Sequence, residues 1–193
     1  MDASTYAFTD PREATTYTML RHVLQNYCTT HAVSLLAGLT ATVLLLAGTC
    51  VQLCEAGGVE ASTLVQQTLA GLKQQVRTRQ ARAPLFSLAE TDDADPDDPR
   101  GRDQTEALSR ALATLIGDAE EAGYISGEGS WRIACALVVD LLGLWLPPGE
   151  LPGGAVDAVL DQLGGVVATQ IARARGRSAP APPGRSGAGS REA

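Results

Sequence analysis

From Ala32 to Cys54 the chain runs for 23 residues without a formal charge. A stretch of that length can cross a bilayer, for which about 20 apolar residues suffice. It can equally be a helix buried on all sides of a soluble bundle. Ser34, Thr40, Thr42, Thr49 and Gln52 lie within it and favour burial in protein, although hydroxyl residues are tolerated in spanning helices. The nearest charges, Arg21 before it and Glu55 and Glu60 after it, carry little orientation signal. Both readings stay open at this stage.

The remaining segments read as helices able to surround such an element. Asp10-Pro11 is a helix start, with Asp10 as N-cap and Pro11 at the first helical position. Residues 1–11 are otherwise a polar, disordered lead-in. From Arg12 to Tyr27 an apolar stripe falls at Met19, Leu20, Val23, Leu24 and Tyr27. Gly57-Gly58 breaks the chain. Ala61 to Ala83 forms a second amphipathic helix, stopped by Pro84, with Val65, Leu69, Leu72 and Val76 on one face. Residues 84–103 form a flexible acidic loop, because 89–103 alone hold seven Asp or Glu and cannot bury enough surface to become ordered. Gln104 to Ala122 is a helix with Leu108, Leu112, Leu115 and Ile116 on one side. Gly123 to Gly129 is a turn. Trp131 to Leu146 is strongly apolar, with Arg132 and Asp140 as its only charges, and has the length of a buried core helix. Gly154 to Ala174 is the final helix, and 175–193 is a disordered tail of Arg, Ser, Ala, Pro and Gly. The expected architecture is therefore an all-α bundle over 12–174 with an apolar central helix.

A chain of 193 residues fits one domain with a substantial core. Apolar residues make up 45% and aromatics 4%, so that core is built from Leu, Val and Ala, a helix-favouring mix. A net charge of −7 without a basic patch argues against nucleic-acid binding. Lys73 is the lone lysine among the 15 basic residues. That bias suits GC-rich coding, with large DNA viruses as one compatible source.

The sequence supplies little for catalysis. YISGEGSW (124–131) lacks the Lys-Ser/Thr ending of a phosphate loop, and there is no Gly-x-Ser-x-Gly elbow. Both histidines, His22 and His31, lie near the N-terminus, and the carboxylates cluster in a solvated loop. No enzyme activity is expected. Cys28, Cys50, Cys54 and Cys135 form no CxxC pair, so they read as plain buried thiols and not as zinc ligands. No cofactor or metal is expected.

Two segments carry a family resemblance. VQQTLAGLKQQVRTRQAR (65–82) places Val65, Leu69, Leu72 and Val76 at steps of four, three and four. It resembles the third homology motif of the Bcl-2 family of apoptosis regulators, with Leu69 at the position of its near-invariant Leu. The family's Gly-Asp pair falls at Lys73 and Gln74, where this chain departs from the pattern. GYISGEGSWRIACALVVDLLGLW (123–145) resembles the first homology motif: a glycine-bearing turn, Trp131, Arg132, then an apolar helix. The Gly usually between Trp and Arg is missing. The second homology motif has no match, the usual C-terminal anchor is not seen, and 32–54 has no place in the standard order.

The resemblance implies a Bcl-2-like helical bundle that is anti-apoptotic and binds amphipathic helices of pro-apoptotic proteins in a surface groove. It places Arg132, Trp131, Leu112 and Leu115 at the partner, with Arg132 meeting an acidic residue there. Beside that role, Arg132 can be an exposed helix-start residue or part of an internal salt bridge, and Trp131 a core or capping aromatic. Val65, Leu69, Leu72 and Val76 are a structural stripe. The setting it implies is a viral protein acting on its host, cytoplasmic or associated with mitochondrial or other intracellular membranes. The alternative is a single-pass membrane-anchored helical adaptor held by 32–54.

Overall fold

A computed structural model describes residues 8–57, 59–79, 99–145 and 153–178. Its six helices are α1 (Pro11–His31), α2 (Leu35–Gly57), α3 (Ala61–Arg79), α4 (Pro99–Glu121), α5 (Gly127–Trp145) and α6 (Gly153–Ser178). Among the described residues there is no strand.

The helix ends follow local chemistry. Asp10 caps α1 by accepting from the Arg12 amide at 2.8 Å, with Pro11 inside the first turn. Ala32 ends α1 in the left-handed region, at φ 49°, a conformation that costs a residue with a Cβ about 1–2 kcal/mol. Ser34 then opens α2 by accepting from the Ala37 amide at 3.2 Å. Gly123, at φ 64°, turns the chain out of α4, and its amide reaches back to the Glu120 carbonyl at 2.9 Å. Ser126 opens α5 by accepting from the Gly129 amide at 3.1 Å.

The helices stack as three pairs. α2 and α5 form the middle pair, α1 and α4 lie together on one side, and α3 and α6 on the other. α2 packs on α4 and α6, while α5 packs on α1 and α3. Every residue of α5 from Ile133 to Leu142 is buried, so this apolar helix is central, as composition indicates. It shares that position with α2, which buries Leu39, Val43, Leu45, Leu46 and Cys50 against its neighbours. α2 is long and apolar enough to cross a membrane by length and composition, and here it lies between the two outer pairs. Only a narrow strip of it, including Leu36, Thr40, Gly48 and Gln52, is exposed.

Several sequence expectations need correction. Gly127 to Gly129 belong to the first turn of α5 and not to the turn expected over 123–129, because Ser126 caps the helix there. Pro99 to Asp103 belong to α4 and not to the acidic loop, because Pro99 sits in the first turn, where its missing N–H breaks no bond. The rest of that loop, 84–98, lies outside the described residues. α6 continues to Ser178, past the expected start of the tail. In the lead-in, Phe8 packs on Tyr17 with ring centroids 5.3 Å apart. The helix expected to reach Ala83 is described as far as Arg79, and 80–83 lie outside the described residues.

Candidate helix-binding site

Trp131 and Arg132 are adjacent in sequence but serve different layers. At the start of α5, Trp131 is partly buried and its Nε1–H donates to Thr68 Oγ1 on α3 at 3.1 Å. The Thr68 hydroxyl in turn donates to the Leu64 carbonyl at 2.7 Å, and Cys50 Sγ on α2 approaches it at 4.0 Å. A polar knot thus ties α3 to the middle pair. It satisfies groups that would be costly to bury alone.

Arg132 turns the other way. Its Nη2 and Nε donate to the two carboxylate oxygens of Glu13 on α1, at 2.5 and 3.0 Å. The Glu13 side chain is only 5% exposed, whereas that of Arg132 is 41% exposed and also lies 3.5 Å from Glu128. The Glu13 hydrogen bond, ahead of all other influences, holds the guanidinium above its ordinary pKa. Gly129 permits this approach: a Cβ there would stand 2.9 Å from Glu13 Oε1. One turn further along α1, the Tyr17 hydroxyl donates to the buried Asp140 carboxylate of α5.

The residues expected to face a partner are therefore placed unevenly. Arg132 holds an internal ion pair, the alternative left open by the sequence. Leu112 is wholly buried. It faces no solvent because it stands midway in the buried row Leu108–Leu112–Ile116 of α4, the centre of that helix's apolar face. Leu115 lies at the edge of that row, partly buried against the core. Trp131 keeps some exposure but is engaged by α3.

The stripe on α3 points inward. Leu72 and Val76 are buried, Val65 packs at the margin of the core, and Leu69 is half-buried. Val65, Leu69 and Leu72 line a narrow apolar cleft shared with Val43 of α2, Val138 of α5, and Leu163 and Val167 of α6. Gly164 lets Leu69 in, since a Cβ there would fall 2.5 Å from its Cδ1. Lys73 donates to Asp161 of α6 at 2.9 Å and lies 4.0 Å from Asp157. The cation there fastens α3 to α6.

Sequence reasoning missed Glu13 and Tyr17. Both lie on the buried face of α1 at the same four-three-four spacing as the α3 stripe: Glu13, Tyr17, Leu20, Leu24. The signal was present, but a carboxylate in a first turn reads as a partner of the helix dipole.

The four cysteines are buried free thiols. Burial pushes Cys28 and Cys50 up to about 11 and Cys135 higher still, which keeps them unreactive. Among the described residues no three His, Cys, Asp or Glu side chains converge as a metal-ligand set. Compared with the models of known protein families, with curated proteins and with solved structures, the chain matches none.

Proposed function

We propose that this protein is a Bcl-2-like, anti-apoptotic regulator that works by binding the amphipathic helices of pro-apoptotic proteins, without chemistry of its own. The observation that carries the reading is the meeting of the two resembling segments. The helix bearing Leu69 and the helix bearing Trp131 and Arg132 pack side by side, joined by the Trp131–Thr68 hydrogen bond. Segments 63 residues apart thus form one unit around the buried stretch Ile133 to Leu142 of α5. That is the relation a helix-in-groove regulator needs between its second-helix motif and its central helix.

The chain acts as receiver and not as donor of a helix. Its own motif helix lacks the Gly-Asp pair, with Lys73 and Gln74 in its place, and Lys73 is bonded to α6. Its apolar stripe is consumed by the cleft beneath it. Arg132, with 41% of its side chain exposed, is the cation that can meet a partner's carboxylate.

The test is a titration of the full chain against fluorescent helices taken from pro-apoptotic proteins. Saturable binding, competed by unlabelled peptide, supports the reading. A folded protein that binds none of them removes it.

A further inference from the structure

α4 and α5 barely touch each other, yet both pack along α1. α1 therefore fills a cleft between them as an amphipathic helix. It puts Tyr17, Leu20, Leu24 and Cys28 inside, and leaves Arg12, Thr15, Thr18, Met19 and His22 in solvent. Reversible polar contacts hold it: Glu13 to Arg132, Tyr17 to Asp140, and Gln104 Nε2 to the His31 carbonyl at 3.2 Å. Only residues 32–34 join α1 to α2, and Ala32 is in the left-handed region.

We propose that α1 is a displaceable internal occupant of the cleft between α4 and α5, and that a partner helix binds by taking its place. This rests on the helix-binding reading above and names both the site and the kind of helix it accepts. With α1 out, the cleft presents the guanidinium of Arg132 and the carboxylate of Asp140, flanked by apolar walls. The matching helix carries a carboxylate, a hydrogen-bond donor four residues later, and apolar residues seven and eleven residues after the carboxylate. α1 itself supplies this pattern with Glu13, Tyr17, Leu20 and Leu24. Binding and release of α1 then set the apparent affinity for any outside helix, which is lowered by the fraction of molecules whose cleft is closed.

The test uses a labelled peptide of residues 9–33, titrated by fluorescence anisotropy against the full chain and its Glu13→Ala variant, each checked for folding by circular dichroism. The variant should bind the peptide about fivefold more tightly than the parent, because its own α1 is held less firmly. Replacing Glu13 by Arg in the peptide should abolish that binding. A folded variant that ignores the peptide, or binds both peptides alike, overturns the proposal. If Glu13→Ala does not fold, hydrogen exchange on the unaltered chain decides: residues 11–31 should exchange together and faster than the buried amides of α5, and equal protection overturns it. Pro-apoptotic helices run in the same assay separate the two readings. Binding of the α1 peptide alone keeps the cleft and removes the apoptotic role. Binding of those helices with equal affinity to parent and variant, while 11–31 stay protected, does the reverse.

Discussion

Glu13 on α1 and Arg132 on α5 form a two-point ion pair in which the carboxylate is buried and the cation is not. The pair is therefore asymmetric. Removing Arg132 strands a buried carboxylate beside Gly129 without its partner, whereas removing Glu13 leaves a cation that water and Glu128 can still serve. Arg132→Ala should destabilise the fold by about 3 kcal/mol, and Glu13→Ala by about 1 kcal/mol. Urea denaturation of the two variants checks the order. Equal losses would mean that the burial of Glu13 does not govern the pair. Arg132→Ala is thus not a clean probe of partner binding, as an exposed helix-start residue would be.

Gly164 and Gly165 make an internal control for the packing of α3. A Cβ at 164 meets the Leu69 side chain at 2.5, 2.9 and 3.1 Å, while one at 165 meets nothing. Gly165→Ala should stabilise α6 by about 0.5–1 kcal/mol through helix propensity. Gly164→Ala gains the same propensity but overpacks the cleft, so it should fall about 1–3 kcal/mol below Gly165→Ala. Thermal melts of both variants measure the gap, and Leu69→Ala introduced with Gly164→Ala should close most of it. A gap of zero would show that Leu69 does not occupy the cleft.

The helices were legible wherever apolar periodicity and end signals agreed. Asp10-Pro11 opens α1 and Gly123 closes α4 for reasons visible in the chain. The position of Ala32–Cys54 was not legible. A buried core helix and a membrane span draw on the same residues, and the packing of five other helices on α2 depends on residues far from it in sequence. Pro99 was hidden by its acidic neighbours, since composition averages over a window and a helix start depends on one residue. The site was half visible. Trp131 and Arg132 stood out, but their opposite directions depend on the rotation of α5. The counter-ion of Arg132 lies 119 residues away, beyond any local pattern.

The Trp131–Thr68 bond predicts a measurable coupling between α3 and α5. Thr68→Val keeps the shape of the buried side chain but leaves the indole N–H without its acceptor, which should cost about 1–2 kcal/mol. In Trp131→Phe the donor is already gone, so the same Thr68 change should cost less. A double-mutant cycle by chemical denaturation should return a coupling of about 1 kcal/mol. Strictly additive losses would mean that the two helices are held by apolar contact alone.

The buried thiols predict loss of stability in alkali. Cys28 and Cys50 have folded pKa values raised by burial to about 11, against about 8.5 in an unfolded chain. Below pH 8.5 both states hold their thiol protons, so this contribution is fully present. As pH rises further, the unfolded state releases protons that the folded state retains, and stability falls. The decline from these two residues runs from about pH 8.5 to 11, and Cys135, raised further, prolongs it. The useful comparison is between variants. Cys28→Ala should lose about 2 kcal/mol less than the parent between pH 8 and 10.5, because one titrating thiol has been removed. Denaturant midpoints across that range read the difference directly. Parallel curves for parent and variant would place Cys28 in contact with water, against its burial between α1 and Gly38 of α2.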